Sequence, residues 1–324
     1  MYPIKFNTIY IHKLWGGRDL ERYKPDLPEG IIGETWDISS HPEGTNMVTN
    51  GQYKDISLTQ LIEQEGENIV GSKISTSLFP LMIRYVSARE KLSVQVHPDD
   101  EYAYHKNEPM GKTEAWYILD AKDGAYLYAG TVDCTENEIK HASEDGSIEK
   151  YLKKLYVTKG DVVLVPSGMV HAICEGLTLI EICCNSNTTY RMYDYGRGRG
   201  LDLTDAFAVM KLDKKGYISK GLESKKDGYS KTYLCLDKSF SWELYDVNQS
   251  FSEISDPNRF FIFTCIEGSG TIHHSQGVES IQNGESVLIP ASLGQYEFVG
   301  QMKLLKSYVP DVTQVEKEIL QVVQ

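Results

Sequence analysis

Alternation of apolar and polar side chains is the dominant pattern along the chain. Leu92, Val94 and Val96 interleave with Ser93, Gln95 and His97, and a period of two is what a half-buried strand requires. Short, dense apolar runs at 114–119, 162–165 and 179–183 predict further strands, since Gly, Pro or Asn bound them. Runs at 260–266, 270–273 and 287–289 repeat the theme further along. Helical periodicity is rarer. Ser57 and Gln60 form a capping-box pattern ahead of Leu58, Leu61, Ile62 and Ile69. Ser147 is expected to cap a second helix carrying Ile148, Leu152 and Leu155. Asp202, Ala206, Phe207, Val209 and Met210 predict a third over 202–212. Many short strands, glycine-rich turns and a few inserted helices point to a mainly β protein of sandwich or jelly-roll domains.

An internal repeat sharpens this picture. Lys159-Gly160-Asp161-Val162-Val163-Leu164-Val165-Pro166 aligns with Asn283-Gly284-Glu285-Ser286-Val287-Leu288-Ile289-Pro290. Each copy is a turn glycine, an acidic residue, a strand and a proline that ends it. Five residues past the proline stand His171 in the first copy and Gln295 in the second. Two related β-barrel units are expected, of which the first alone keeps an imidazole. The seam is expected in the Lys- and Gly-rich stretch 211–231, giving domains over 1–215 and 216–324.

Composition narrows the partners. A length of 324 residues suits two domains of roughly 150 residues each. The net charge of −13 argues against nucleic acid or an anionic membrane as general partner, because both need a basic face. An anionic small molecule would need a local basic pocket. No apolar run approaches the roughly 18 residues that cross a bilayer. The opening Met1-Tyr2-Pro3-Ile4-Lys5 lacks the basic-then-apolar order of a secretory leader. The six cysteines form no C-x-x-C pair, so they are expected to be reduced, packed side chains of a cytoplasmic protein.

The chemistry-bearing residues gather around the alternating segment. Gln95 and His97 share one face of their strand, about 7 Å apart along the chain. Glu114 opens the next strand, with Trp116 and Ile118 on its side of the pleat, and His171 follows the turn Pro166-Ser167-Gly168. An amide oxygen, two imidazoles and a carboxylate form a mixed N/O set suited to Zn²⁺ and also compatible with Mn²⁺, Co²⁺ or Fe²⁺. With no thiolate in the set, an open coordination position is expected, as a Lewis-acid site needs. His12, His41, His105, His141, His273 and His274 read as surface or packing residues. Gly111-Lys112-Thr113 imitates the end of a phosphate-binding P-loop, but the earlier glycine of that motif falls on Lys106. Gly196-Arg197-Gly198-Arg199-Gly200 reads as a flexible loop whose arginines could meet a phosphate.

Ordered blocks of this chain resemble type I phosphomannose isomerases of the short bacterial class. They are Leu14-Trp15-Gly16-Gly17, residues 32–39, Phe79-Pro80-Leu81-Met82-Ile83-Arg84, residues 92–100, and Gly111-Lys112-Thr113-Glu114 with Trp116-Tyr117. Residues 166–173 continue the series, as do 185–191 with Tyr193-Asp194-Tyr195. The resemblance spans roughly residues 10–215 and thins beyond.

The resemblance implies two cupin domains, the first catalytic and holding one Zn²⁺, the second without metal ligands. It implies interconversion of mannose 6-phosphate and fructose 6-phosphate through an enediol, with a small sugar phosphate as partner. Gln95, His97, Glu114 and His171 would be the metal ligands, Arg191 a catalytic residue, and Lys112 a pocket residue. Arginine is always cationic and can stabilise an enediolate or grip a phosphate. Lys112, beside a metal and an arginine, is expected to have a depressed pKa and could act as a base. Arg84 and Asn187, assigned to substrate binding, depart from the usual Lys and Asp, and a carboxamide cannot act as a general base. Gly111 replaces an imidazole found in longer relatives, and Cys183-Cys184 replace a polar pair. These departures motivate one alternative, a non-catalytic sugar-phosphate sensor on the same scaffold. Another, an iron dioxygenase, would ordinarily use a His-x-His pair where this chain has Gln95-x-His97.

Overall fold

The computed structural model describes residues 1–323. Antiparallel pairing builds three principal sheets. A seven-stranded sheet runs in the order Ile218–Ser219, Val162–Val165, Glu114–Ala121, Leu177–Cys184, Leu81–Ala88, Ile32–Ile38 and Ile9–Gly17. A five-stranded sheet packs on it, ordered Leu152–Tyr156, Tyr126–Thr131, His171–Ile173, Val94–Val96 and Tyr190–Tyr193. Trp116, Ile118, Val163 and Leu179 of the first meet Leu127, Ala129 and Ile173 of the second in one core. This is a jelly-roll sandwich, closed around the side chains of alternate positions.

A nine-stranded sheet forms the second barrel, with Gln295–Tyr308 lying between Phe261–His274 and Ser241–Val247. Its interior is aromatic, built on Tyr245, Phe251, Phe263, Tyr296 and Phe298. The chain leaves the first sheet after Ser219, which pairs with Val162, and enters the second at Leu222, which pairs with Tyr233. Ile4 and Lys5 cross the other way and pair with Leu288 and Val287.

Where the two barrels meet, Tyr85, Tyr117, Ile180 and Ile182 pack with Trp242, Ile262, Leu288 and Leu305 in a shared core. The strand Leu177–Cys184 is therefore buried at every position. One face looks into the first barrel and the other into the seam, which is why its sequence reads as a continuous apolar run rather than an alternation.

Several elements differ from the pattern. Ser147 precedes only a 3-10 turn, Ile148–Tyr151, after which Leu152–Tyr156 is a strand paired with Tyr126–Thr131. The apolar spacing of Ile148, Leu152 and Leu155 suited a helix, but the sheet edge supplied the partner. The helix of this region lies upstream at Glu136–Asp145, opened by a Thr135/Glu138 capping box and burying only Ile139, Ala142 and Ser143. Ser57 and Gln60 do close a capping box on Leu58–Glu65, but Gly66 ends that helix before Ile69. The third helix is shorter than expected, Leu203–Val209. The runs at 260–266 and 270–273 are one bent strand of 14 residues, Phe261–His274.

Candidate metal centre and substrate cavity

Three loops and strand ends converge inside the first barrel. Val94–Val96 carries Gln95 inward and ends just before His97; His171 opens its strand directly opposite Gln95. Glu114 opens the neighbouring long strand opposite Val165. Packing fixes the approach to Glu114: Gly111 lies so close to the Pro98–Asp100 backbone that a Cβ there would sit 2.4 Å from the Asp99 carbonyl carbon. Gly111 N–H donates to Asp100 Oδ1 (3.0 Å) and Lys112 N–H to Pro98 O (2.9 Å), so the Gly-Lys-Thr segment is a tight turn onto a strand.

Donor atoms of His97, Glu114 and His171 lie within 4.8 Å of one another, and all three residues are buried. His97 Nε2 is 3.4 Å from Glu114 Oε2, and His171 Nε2 is 3.3 Å from Glu114 Oε1. Glu114 Oε2 has the Lys112 ammonium nitrogen at 2.8 Å, whereas His97 Nε2 is buried without a hydrogen-bond partner. A buried polar atom left in that state is costly unless something completes its valence. The outer ring nitrogens are occupied: His97 Nδ1 is 2.9 Å from Thr188 O and His171 Nδ1 is 2.8 Å from Met169 O. Nδ1 is thus the protonated nitrogen in each ring, and both Nε2 lone pairs point inward, the orientation metal-binding histidines adopt. Burial, then the Lys112 ammonium, pushes His97 down to about 3, and burial also lowers His171. Both rings are neutral at ordinary pH. Burial would raise Glu114, but the Lys112 ammonium beside it holds it well below the usual carboxylate range. The donor set fits a divalent cation.

Gln95 completes the ring of side chains. Its amide nitrogen is placed 3.3 Å from His171 Nε2, and its Oε1 accepts from Ser93 Oγ at 3.2 Å. A half-turn of the amide, which leaves its shape unchanged, would exchange the two atoms and turn Oε1 inward.

A cavity of about 210 Å³ opens beside this cluster. Its wall holds five cations, Lys13, Arg84, Lys112, Arg191 and Arg199, against three carboxylates, Glu34, Glu114 and Glu181. This is the local basic pocket that an acidic protein needs to take an anion. Arg84 is locked by Nε to Glu181 Oε1 (3.0 Å), with a second contact from its terminal nitrogen, and lies 3.6 Å from Glu34. Lys112 Nζ lies 2.8 Å from Glu114 and 3.6 Å from Glu181. The depressed lysine expected from sequence is corrected here: burial and Arg84 lower it, but Glu114 and Glu181 outweigh them and hold it above its ordinary value.

Arg191 stands opposite Gln95 in the strand register and its Nε is buried without a partner, while Nη1 donates to Gly200 O at 2.8 Å. Asn187, on the same wall, donates from Nδ2 to Glu43 at 2.7 Å. The Gly-Arg-Gly-Arg-Gly segment is pinned rather than loose. Arg197 and Arg199 both bind the Asp194 carboxylate, and Arg199 reaches the cavity. Lys13, Glu34 and Glu181 were not singled out from sequence; Glu34 fell inside a recognised block, but only pairing of Ile32–Ile38 beside Leu81–Ala88 turns it toward Arg84. The other six histidines lie outside the triad. Among the described residues no helix is long and apolar enough to cross a membrane.

Fold and triad together define a cupin whose first barrel is equipped to hold a metal. Comparison with known proteins then narrows the class. Residues 4–132 match the family "phosphomannose isomerase type I, catalytic domain", and residues 229–309 match "mannose-6-phosphate isomerase, cupin domain". The mannose-6-phosphate isomerase ManA of Bacillus subtilis is 32% identical over 95% of this chain and 99% of its own. The mannose-6-phosphate isomerase of Streptococcus mutans is 31% identical over 94% and 98%. A crystal structure of mannose 6-phosphate isomerase from Bacillus subtilis superposes with a TM-score of 0.88 at 30% identity, covering 95% of this chain and 99% of that one. The chain belongs to the type I phosphomannose isomerase family.

Proposed function

We propose that this protein interconverts mannose 6-phosphate and fructose 6-phosphate in the cavity of its first barrel. The observation that carries the reading is the pair of inward Nε2 lone pairs and the Glu114 carboxylate converging beside a cation-rich cavity. Gln95, His97, Glu114 and His171 would hold one divalent cation, and two imidazoles with two oxygen donors suit zinc. When bound, such a cation supplies an electrophile for a sugar oxygen without itself exchanging protons.

The remaining chemistry belongs to the chain. Aldose–ketose exchange moves a proton between C1 and C2 and builds negative charge on oxygen in the enediolate. The Lys112 ammonium and the Arg191 guanidinium stand on the cavity wall where that charge would develop, and cations fixed in place stabilise it without reorganising. Arg191 Nε keeps a free donor for the purpose. Asn187 and Arg199 line the same wall and serve to orient the substrate, Arg199 as a fork for the phosphate. Arg84, on the same wall and held by Glu181 and Glu34, is a further substrate-binding cation. The catalytic unit is proposed to comprise residues 1–215, with 216–324 as its supporting second domain.

A coupled assay on purified protein with defined Zn²⁺ tests this reading. Turnover of mannose 6-phosphate, lost on chelation and restored by Zn²⁺, with solvent deuterium entering the sugar, is the expected result. Absence of turnover from metal-loaded protein would remove the isomerase reading.

A further inference from the structure

The second barrel opens a cavity of about 520 Å³ that isomerisation in the first does not use. Strand register locates it. Lys306 opposes Glu243 on one side and Phe263 on the other, as Glu181 opposes Arg84 and Trp116. Phe263 opposes Val287 and Trp116 opposes Val163, the same position in the two copies of the sequence repeat. Glu243 opposes Tyr233 as Arg84 opposes Trp36. Stepping two residues along each strand, Lys231 matches Glu34, Phe261 matches Glu114, and Arg259 matches Lys112. Lys231, Glu243, Arg259, Phe261 and Lys306 all line the second cavity, and all five counterparts line the first.

The two cavities are therefore one pocket of the barrel used twice, with the charges exchanged. The acid–base–acid set Glu34, Arg84 and Glu181 becomes base–acid–base in Lys231, Glu243 and Lys306. Phe261 replaces the carboxylate of the triad, and Gln295, opposite Ile254 as His171 is opposite Gln95, is exposed.

Glu243 and Lys306 are 0% and 6% exposed, and burying such charges costs more than filling the space with apolar side chains. The same barrel fills its deeper interior with Phe251, Phe263 and Phe298. At the cavity, by contrast, donors and acceptors are fixed in place. Lys306 Nζ bonds Glu253 at 2.7 Å and stands 3.9 Å above the Phe261 ring. Glu243 takes Lys231 at 3.0 Å and the Tyr308 hydroxyl at 2.7 Å. Glu253 also accepts from Tyr245 at 2.6 Å and Tyr296 at 2.7 Å.

The charge balance decides the ligand class. Lys231, Arg259 and Lys306 face Glu243, Glu253 and Asp256, and Asp311 and Glu318 add negative charge toward the terminal helix Val312–Val323. Nothing is left over to hold a phosphate, and the acidic mouth repels one. Neighbouring hydroxyls, which donate to a carboxylate and accept from an ammonium at once, suit paired ions, and the exposed Ile254 on the cavity wall offers an apolar contact to the ring carbons. We infer that the second barrel binds an uncharged polyhydroxylated ligand, a free monosaccharide or polyol, in this cavity.

Saturation-transfer NMR and calorimetry with D-mannose and glycerol on the full chain test the site. Saturable binding is expected, undisturbed by excess mannose 6-phosphate and by Lys112→Ala in the first cavity. Lys306→Met should weaken it about tenfold or more, the loss of one charged hydrogen bond. Gln314→Trp, on the exposed face of the terminal helix at the cavity wall, should block it while leaving mannose 6-phosphate turnover at the wild-type rate. That variant leaves every buried charge in place, so it decides the matter even where Lys306→Met fails to fold. No saturable signal with either probe, or a signal that Lys112→Ala removes or Gln314→Trp spares, would overturn the inference.

Discussion

His97 and His171 divide the work of their ring nitrogens in the same way. Each holds a backbone carbonyl with Nδ1 and turns Nε2 toward Glu114. Removing either ring should empty the centre: His97→Ala and His171→Ala are expected to lose bound metal by elemental analysis, and a full metal complement in both would discard the ligand set. Arg191→Ala should keep the metal and lower kcat by about 10²–10³, the usual consequence of removing one donor to a developing oxyanion. The depressed imidazoles also set an acid response. In the unfolded chain each takes up a proton near the ordinary value of 6.5, whereas folded His97 stays neutral down to about 3. The unfolded state therefore binds more protons across that window, and stability falls as pH drops through it. Chelator-treated protein is expected to show a declining denaturation midpoint between pH 6.5 and 5, before most carboxylates titrate; a flat profile there would contradict neutral buried rings.

At the scale of elements, the site depends on how strands and turns are anchored. Period two in residues 92–97 was enough to put Gln95 and His97 on one face, because alternation is a local property of extended chain. The Arg-rich segment was not legible in the same way. Glycine at every second position suggested mobility, yet Asp194, 3% exposed, draws Arg197 and Arg199 onto itself and so stiffens the turn. Both guanidiniums hold its carboxyl below the usual range against the opposing effect of burial. Asp194→Asn should release them. The expected effect is a rise in KM for mannose 6-phosphate of about tenfold with a smaller change in kcat, since a substrate-orienting cation rather than the reacting centre is disturbed. Steady-state kinetics separate the two; a pure kcat defect would place the loop's role elsewhere. The misread segment at 148–155 teaches a related point. Its apolar spacing satisfied a helix and an edge strand alike, and an unpaired sheet edge beside it settled the competition.

Across the whole molecule, the two barrels are joined through buried contacts distant in sequence. Lys24 bonds Asp37 at 2.5 Å and reaches the carbonyl of Gly284, in the turn that opens the second copy of the repeat. Gly284 has φ +87°, and a Cβ there would fall 1.8 Å from Tyr23 O. Gly284→Ala should cost at least about 2 kcal/mol, combining a left-handed backbone with a backbone clash. Calorimetry should show one lowered transition for the whole chain; an unchanged melting temperature would mean the junction is looser than its packing. The sequence by itself determined the β architecture, the repeat, and the four residues proposed to hold the metal, because alternation, turn glycines and donor chemistry are written locally. Tertiary structure alone decided the ion pairs of Lys112, the pinning of Arg199 and the charge-exchanged cavity of the second barrel. Each of these depends on which strands lie side by side and how deeply they are buried, and those are relations between residues that the order of the chain does not contain.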